Sequence, residues 1–437
     1  MKLRISDAVT LHYIRDDRFK TARLSLYTVL PATAEGSPLA TLLFGTLRRG
    51  SEQYPRLSLL NRRLDELYGT TLTGRNYLHG DAHVISYTAE MPEQKFLPET
   101  DPDTDVLSGV MALLADMILH PLRDEDGMLR ADAVDKEKQT RIDSLRALRN
   151  DTRAYAGNRL REIMCEGEPY GLSIGGTVDG VSRITPREVT DLYDALMKQA
   201  RMEIFYTGQA TGEKVMVAWR DAFGSFHPDR LPTPATTLHI PPASPRREVE
   251  DMAVSQGKLC MSWSCGENYT TLQGDPDRLA AHAVINEIFG GMQGSLLFRH
   301  VREERGLCYF CDSALDMTKG ILWVSCGIRP DRLHEAEAAI SAELRALQEG
   351  RISEDDLRMA KLSLQNIYRQ MEDSQASMES FAFGRMMDGT AYTPAEELSR
   401  IMNVTVEEVA RVASAYRPDT VFFLNGTVTD EEDGYDD

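Results

Sequence analysis

Tryptophan is scarce in this chain of 437 residues, with three, and cysteine is nearly so, with six. Thiols spread so thinly, at Cys165, Cys260, Cys265, Cys308, Cys311 and Cys326, exclude the disulfide scaffold of a small secreted domain and read as buried or free. Basic residues are the minority, 49 Lys and Arg against 68 Asp and Glu, which leaves a net charge of -19. A surface of that sign argues against nucleic acid and anionic membrane as partners. No run approaches the ~18 apolar residues of a membrane span. Met1-Lys2-Leu3-Arg4 leads into a strand-like stretch, unlike the core of a signal peptide. The expected compartment is the cytoplasm.

Several chemical signatures are missing as well. There is no Gly-rich phosphate loop, no G-x-S-x-G elbow and no C-x-x-C pair with a matching second pair. His79 and His83 have a ligand-like spacing, but His79-Gly80-Asp81 reads as a turn between strands, and a hairpin lacks the helical presentation of a zinc pair. Cys308 and Cys311 lie in a strand-like run, where residues three apart face opposite sides, so core packing is expected of them rather than shared metal or redox use.

What is present is long, patterned and duplicated. Six of the 19 prolines fall between Pro228 and Pro245, a composition that reads as an extended linker between two nearly equal halves. The expected layout is an N-terminal domain over 1–226, a linker over 227–247, a C-terminal domain over 248–427 and an acidic tail over 428–437. Thr185-Pro186-Arg187-Glu188 and Thr405-Val406-Glu407-Glu408 are both T-x-x-E capping boxes. Each opens a helix followed by an apolar strand and a Gly, at Ile204 to Gly208 and at Val421 to Gly426, so the halves repeat at an offset near 220 residues. Strands are expected around 24–30, 70–91, 258–264 and 321–328. Helices are expected over 106–119, 133–149, 152–164, 277–289, 332–348 and 354–371, the last capped by Ser353. Strands grouped with helices, without strict alternation, predict an α+β fold with mostly antiparallel sheets and helices on one face.

Four segments carry a resemblance: LFGTLRRGSEQYP (43–55), LNRRLDELYGTTL (60–72), EPYGLSIGGTVDGVSRIT (168–185) and IFGGMQGSLLFRHVREERGLCY (288–309). They are similar to motifs of the M16 family, which includes pitrilysin, insulinase and the mitochondrial processing peptidase. The resemblance implies two homologous domains forming half of a clamshell. An active member holds zinc through the two His of an H-x-x-E-H helix and a distal Glu, and the motif Glu serves as general base. Aligned on Arg49-Gly50-Ser51, this chain places Thr41 and Gly45 at the His positions and Phe44 at the base. Glu137 matches a supporting glutamate, and the distal ligand position falls at Ser144, with Asp143 its acidic neighbour. One carboxylate cannot replace two imidazoles and a base, so the chain is expected to lack catalytic zinc.

The resemblance assigns Arg302 and Tyr309, seven residues apart, to substrate and oxyanion in the second half. Both are donors suited to developing negative charge. Gly290, Gly291 and Gly294 read as close-packing or turn positions. Taken together, the sequence predicts a non-catalytic subunit that binds extended peptide, alongside a partner M16 subunit carrying H-x-x-E-H and the zinc. A pseudopeptidase scaffold is the alternative, resembling bacterial members associated with elongation factor P modification, and a homodimer stays open.

Overall fold

The computed structural model describes residues 2–99 and 104–427; the acidic tail expected at 428–437 lies outside them. The chain forms two compact units. One takes the described residues up to Ala147 together with Leu172–Ala235, and the other takes Leu148–Gly171 and the described residues from Thr236 onward.

Strands of the first unit are β1 (Lys2–Arg4), β2 (Val9–Arg15), β3 (Thr21–Pro31), β4 (Thr71–His79) and β5 (Ala82–Pro92), with β6 (Gln199–Ala200), β7 (Met202–Gly208) and β8 (Asp229–Arg230) following later. Six of them form one sheet in the order β1-β2-β7-β3-β5-β4, in which only the β2–β7 pairing is parallel. Helices α1 (Gly36–Leu47), α2 (Leu57–Glu66), α3 (Val106–Leu119) and α4 (Ala131–Ala147) contribute to its core, as do α6 (Val178–Arg183), α7 (Pro186–Lys198) and α8 (Gly212–Phe223). Asp105 caps α3, and Thr185 with Glu188 closes the expected capping box of α7. His79 pairs with Ala82 and Leu78 with His83 across the hairpin, so the two histidines are out of register. His83 is buried, its ring nitrogens have no partner among the described residues, and burial alone pushes its pKa down to about 4. It packs as a neutral side chain.

The second unit holds β9 (Arg246–Met252), β10 (Gly257–Ser264), β11 (Cys308–Asp316), β12 (Ile321–Ile328) and β13 (Arg417–Gly426), in the order β11-β12-β10-β13-β9. Only β9–β13 is parallel. Its helices are α9 (Pro276–Asn286), α10 (Leu333–Gln348), α11 (Glu354–Met371), α12 (Gln375–Met387), α13 (Pro394–Asn403) and α14 (Val406–Ala413). Thr405 and Glu408 form the second capping box. Between α9 and β11 the chain winds through two π-helical turns, Glu287–Gly291 and Leu297–Glu304. The main core collects Leu259, Met261 and Trp263 of β10 with Phe423 of β13.

The break between Ala235 and Thr236 falls inside the expected Pro-rich linker, but Leu148–Gly171, expected in the first domain, belongs to the second unit. Helix α5 (Thr152–Met164), early in the chain, packs on β10 and β13 of the second unit and brings Ala156, Leu160 and Ile163 against Cys260, Phe422 and Leu424. Successive strand residues point to opposite faces, so the apolar even-numbered residues of β13 need a cover of their own, and α5 supplies it. Among the described residues, no helix is long and apolar enough to cross a membrane.

Candidate functional site

Helix α1 carries the positions where the resemblance places zinc ligands, and each is committed elsewhere. Thr41 Oγ1 lies 3.0 Å from the carbonyl oxygens of Ser37 and Ile174 and accepts from the Asn76 amide of β4 at 2.9 Å. Phe44 packs its ring against Tyr87, 5.3 Å between centroids, and its carbonyl accepts from the Tyr87 hydroxyl at 2.5 Å. At Gly45 the absence of a side chain leaves a hollow, and the Glu137 carboxylate of α4 fills it; a Cβ on Gly45 would overlap that carboxylate. Glu137 in turn accepts from Arg49 Nε at 2.5 Å. One turn further along α4, Arg141 donates to the Gly175 carbonyl at 3.1 Å and occupies the space a side chain on Gly175 would need. Thr41 and Arg141 thereby hold the Ile174–Gly175 backbone of the third motif in place.

Ser144 bonds back to the Thr140 carbonyl at 2.8 Å, and the exposed Asp143 accepts from Gln139. Glu137, paired with Arg49, and Asp143, bonded to Gln139, are thus not poised as ligands. A cavity of about 300 Å³ beside Arg49 is lined by Arg56, Arg130 and Lys136 with Asp132 as its acid. Cations of that density repel a divalent metal, and the donor set of one paired carboxylate and one hydroxyl does not fit zinc.

The second unit presents its candidate residues differently. Arg302 sits in the π-helical turn Leu297–Glu304, with its guanidinium 4.7 Å over the Phe298 ring and 3.5 Å from the Glu303 carboxylate. Tyr309, at the start of edge strand β11, is 68% exposed. Gly290 packs tightly: a Cβ there would lie 2.6 Å from the Ser313 backbone nitrogen of β11, and Gly294 takes φ +91° in a turn.

The strand-facing argument for Cys308 and Cys311 fails. A β-bulge lies between Cys308 and Phe310, so Cys308 pairs with Ile328 while Phe310 pairs with Gly327. The extra residue shifts the alternation by one. Cys308 and Cys311 then share a face, Cys311 is directly opposite Cys326, and the three sulfurs lie within 4.8 Å of one another. Hydrogen bonds from Cys311 and Cys326, against burial and with help from the Arg302 charge, hold the Cys308 thiol below its usual range.

A second cluster escaped sequence reasoning altogether. His239, in the Pro-rich stretch, binds Glu168 through Nδ1 at 2.5 Å and Asp419 through Nε2 at 2.8 Å, and Lys319 lies 2.8 Å from Glu168. Burial opposes protonation of His239, but hydrogen bonds to Asp419, Cys165 and Glu168 outweigh it and push its pKa up to about 11. Glu168 is likewise drawn up by burial and brought below its usual range by His239 and Lys319. Lys319 and His239 are fully paired cations, so this is an ion network.

Comparison with known proteins agrees with this reading of α1. Residues 183–364 match the family model described as peptidase M16 inactive domain. A Bacillus subtilis protein described as "Probable inactive metalloprotease YmfF" is 28% identical over 419 residues, which is 96% of each chain. Among solved structures, a conserved protein from Enterococcus faecalis V583 has TM-score 0.88 at 25% identity over 98% of each chain. A peptidase M16 inactive domain from Pseudomonas fluorescens shares the fold, with TM-score 0.79 at 16% identity over 98% of each chain. By these likenesses the chain is similar to M16 peptidases and, among them, to proteins described as inactive.

Proposed function

We propose that this chain is the non-catalytic subunit of a two-chain M16 peptidase in the cytoplasm. It binds an extended peptide by strand addition, and Arg302 and Tyr309 act on substrate held at the zinc of a partner that carries H-x-x-E-H. The observation that carries this reading is the contrast between the two candidate sets. The positions on α1 are filled and tied down, whereas Tyr309 is largely exposed and Arg302 sits in a nearby π-helical turn, its guanidinium 3.5 Å from the carboxylate of its sequence neighbour Glu303. Strand β4, outermost in its sheet and bearing Asn76, offers an edge for an added strand.

The test reconstitutes the chain with an H-x-x-E-H subunit from the same genome and compares Arg302→Ala and Tyr309→Phe with wild type at matched assembly. Loss of an oxyanion donor is expected to lower kcat by about 10²- to 10³-fold while altering KM less. Wild-type turnover in both variants sinks the catalytic-support role. The firmly occupied α1 site also suits a second reading, a pseudopeptidase scaffold, as a homodimer or linked to elongation factor P modification. Absence of activity with every such partner, with peptide binding retained, favours it.

A further inference from the structure

The thiol cluster of the second unit lies outside that function, and its geometry is specific. Cys308 and Cys311 come from β11 and Cys326 from β12, and each sulfur is within 4.8 Å of both others. A disulfide would use two of the three and give the third no part. A metal bound at ~2.3 Å by thiolates spaces its sulfurs roughly 3.8 Å apart, so a small inward movement of each suffices. Cys326 and Cys311 are 0% and 6% exposed, while Cys308 is only half-buried, which leaves one open side for entry. Arg302 interacts with the Cys308 charge and Lys258 with that of Cys326, so cations offset the negative charge three thiolates would bring.

We propose that Cys308, Cys311 and Cys326 bind one soft, thiophilic metal ion of the zinc(II), cadmium(II) and copper(I) kind. Among the described residues no carboxylate or imidazole joins the group, so the ion has three sulfur ligands and an open position toward solvent. Each sulfur gives up its remaining thiol proton to solvent as its bond to the metal forms. Sulfur ligands select such ions over magnesium or calcium. The site depends on the bulge at Cys308, since an unbulged strand would turn Cys308 away from Cys311.

The experiment needs neither peptide nor partner. The fully reduced chain is titrated with cadmium(II), following the ultraviolet thiolate-to-metal band, and thiol alkylation is mapped by mass spectrometry with and without metal. One equivalent is expected to bind, to protect Cys308, Cys311 and Cys326 together, and to weaken at least about 100-fold in Cys308→Ser and Cys326→Ser. Cys165→Ser, in the ion network, is expected to bind as wild type. Circular dichroism checks each variant's fold, and the protection map of the wild-type chain stands even if a variant misfolds. The proposal is overturned by the absence of stoichiometric binding, by protection of other thiols, or by a disulfide between two of the three in the chain isolated without reductant. Loss of peptidase support by the assembly would leave these readouts unchanged.

Discussion

The two units have the same strand order and differ in what they do with it. Read from the outer hairpin inward, β4-β5-β3-β7-β2 and β11-β12-β10-β13-β9 are the same sequence of neighbours, each with a single parallel pair at the same place. Phe44-Gly45 and Phe289-Gly290 even occupy the same slot, between the sheet's central strand and its outer hairpin. In the first unit that glycine receives the Glu137 carboxylate; in the second it receives the backbone of β11. A shared scaffold thus hosts a side-chain plug on one side and rigid packing on the other. Ionic groups diverge in the same way, since the Arg49–Glu137 pair is partly solvated whereas His239 and Asp419 are buried outright.

The largest expected effect sharpens that last difference. Asp419→Ala strips a buried charged imidazole of its partner and is expected to destabilise the second unit by about 3 to 5 kcal/mol, less whatever His239 recovers by releasing its proton. Glu137→Ala, in the solvated pair, is expected to cost about 1 kcal/mol. Urea denaturation of both variants measures the gap, and equal losses would break the comparison. Next in size, Gly290→Ala forces a methyl against the Ser313 backbone and is expected to cost about 1 to 3 kcal/mol. Gly45→Ala meets only the end of a flexible side chain and gains helix propensity, so its effect should stay within about 1 kcal/mol.

The remaining effect is in pH dependence. His239 holds its proton up to about pH 11 in the fold, so its contribution is whole below its ordinary value of 6.5 and is lost as pH rises toward 11. Glu168, held below its usual range, contributes above about 4.5 and loses that contribution as pH falls. Thermal melts should therefore decline between pH 7 and 10, and Asp419→Asn should flatten the slope. An unchanged slope in that variant would remove the network from the explanation.

Much of the fold was legible because local signals decide it. The capping boxes at Thr185 and Thr405 opened their helices as the spacing required, and the apolar run at 106–119 is α3 end to end. The loss of ligand chemistry at Thr41, Phe44 and Gly45 was legible too, since residue type alone settles it. What filled the site was not. That Glu137 occupies the hollow at Gly45 depends on the approach of α4, which no periodicity encodes. The grouping of Cys308 with Cys311 was misread because a single inserted residue reverses strand parity without altering composition. His239 gave no signal at all: its partners Glu168 and Asp419 lie 71 and 180 residues away.

Helix α5 has a consequence for the order of events during synthesis. Its apolar face, with Ala156, Leu160 and Ile163, leaves the ribosome long before β13, which supplies Phe422 and Leu424. At about 5 to 20 residues per second, the roughly 250 intervening residues keep that face waiting on the order of 10 to 50 s. Over that interval the nascent chain carries an apolar helix face without β13, and the second unit cannot close until that strand has been made.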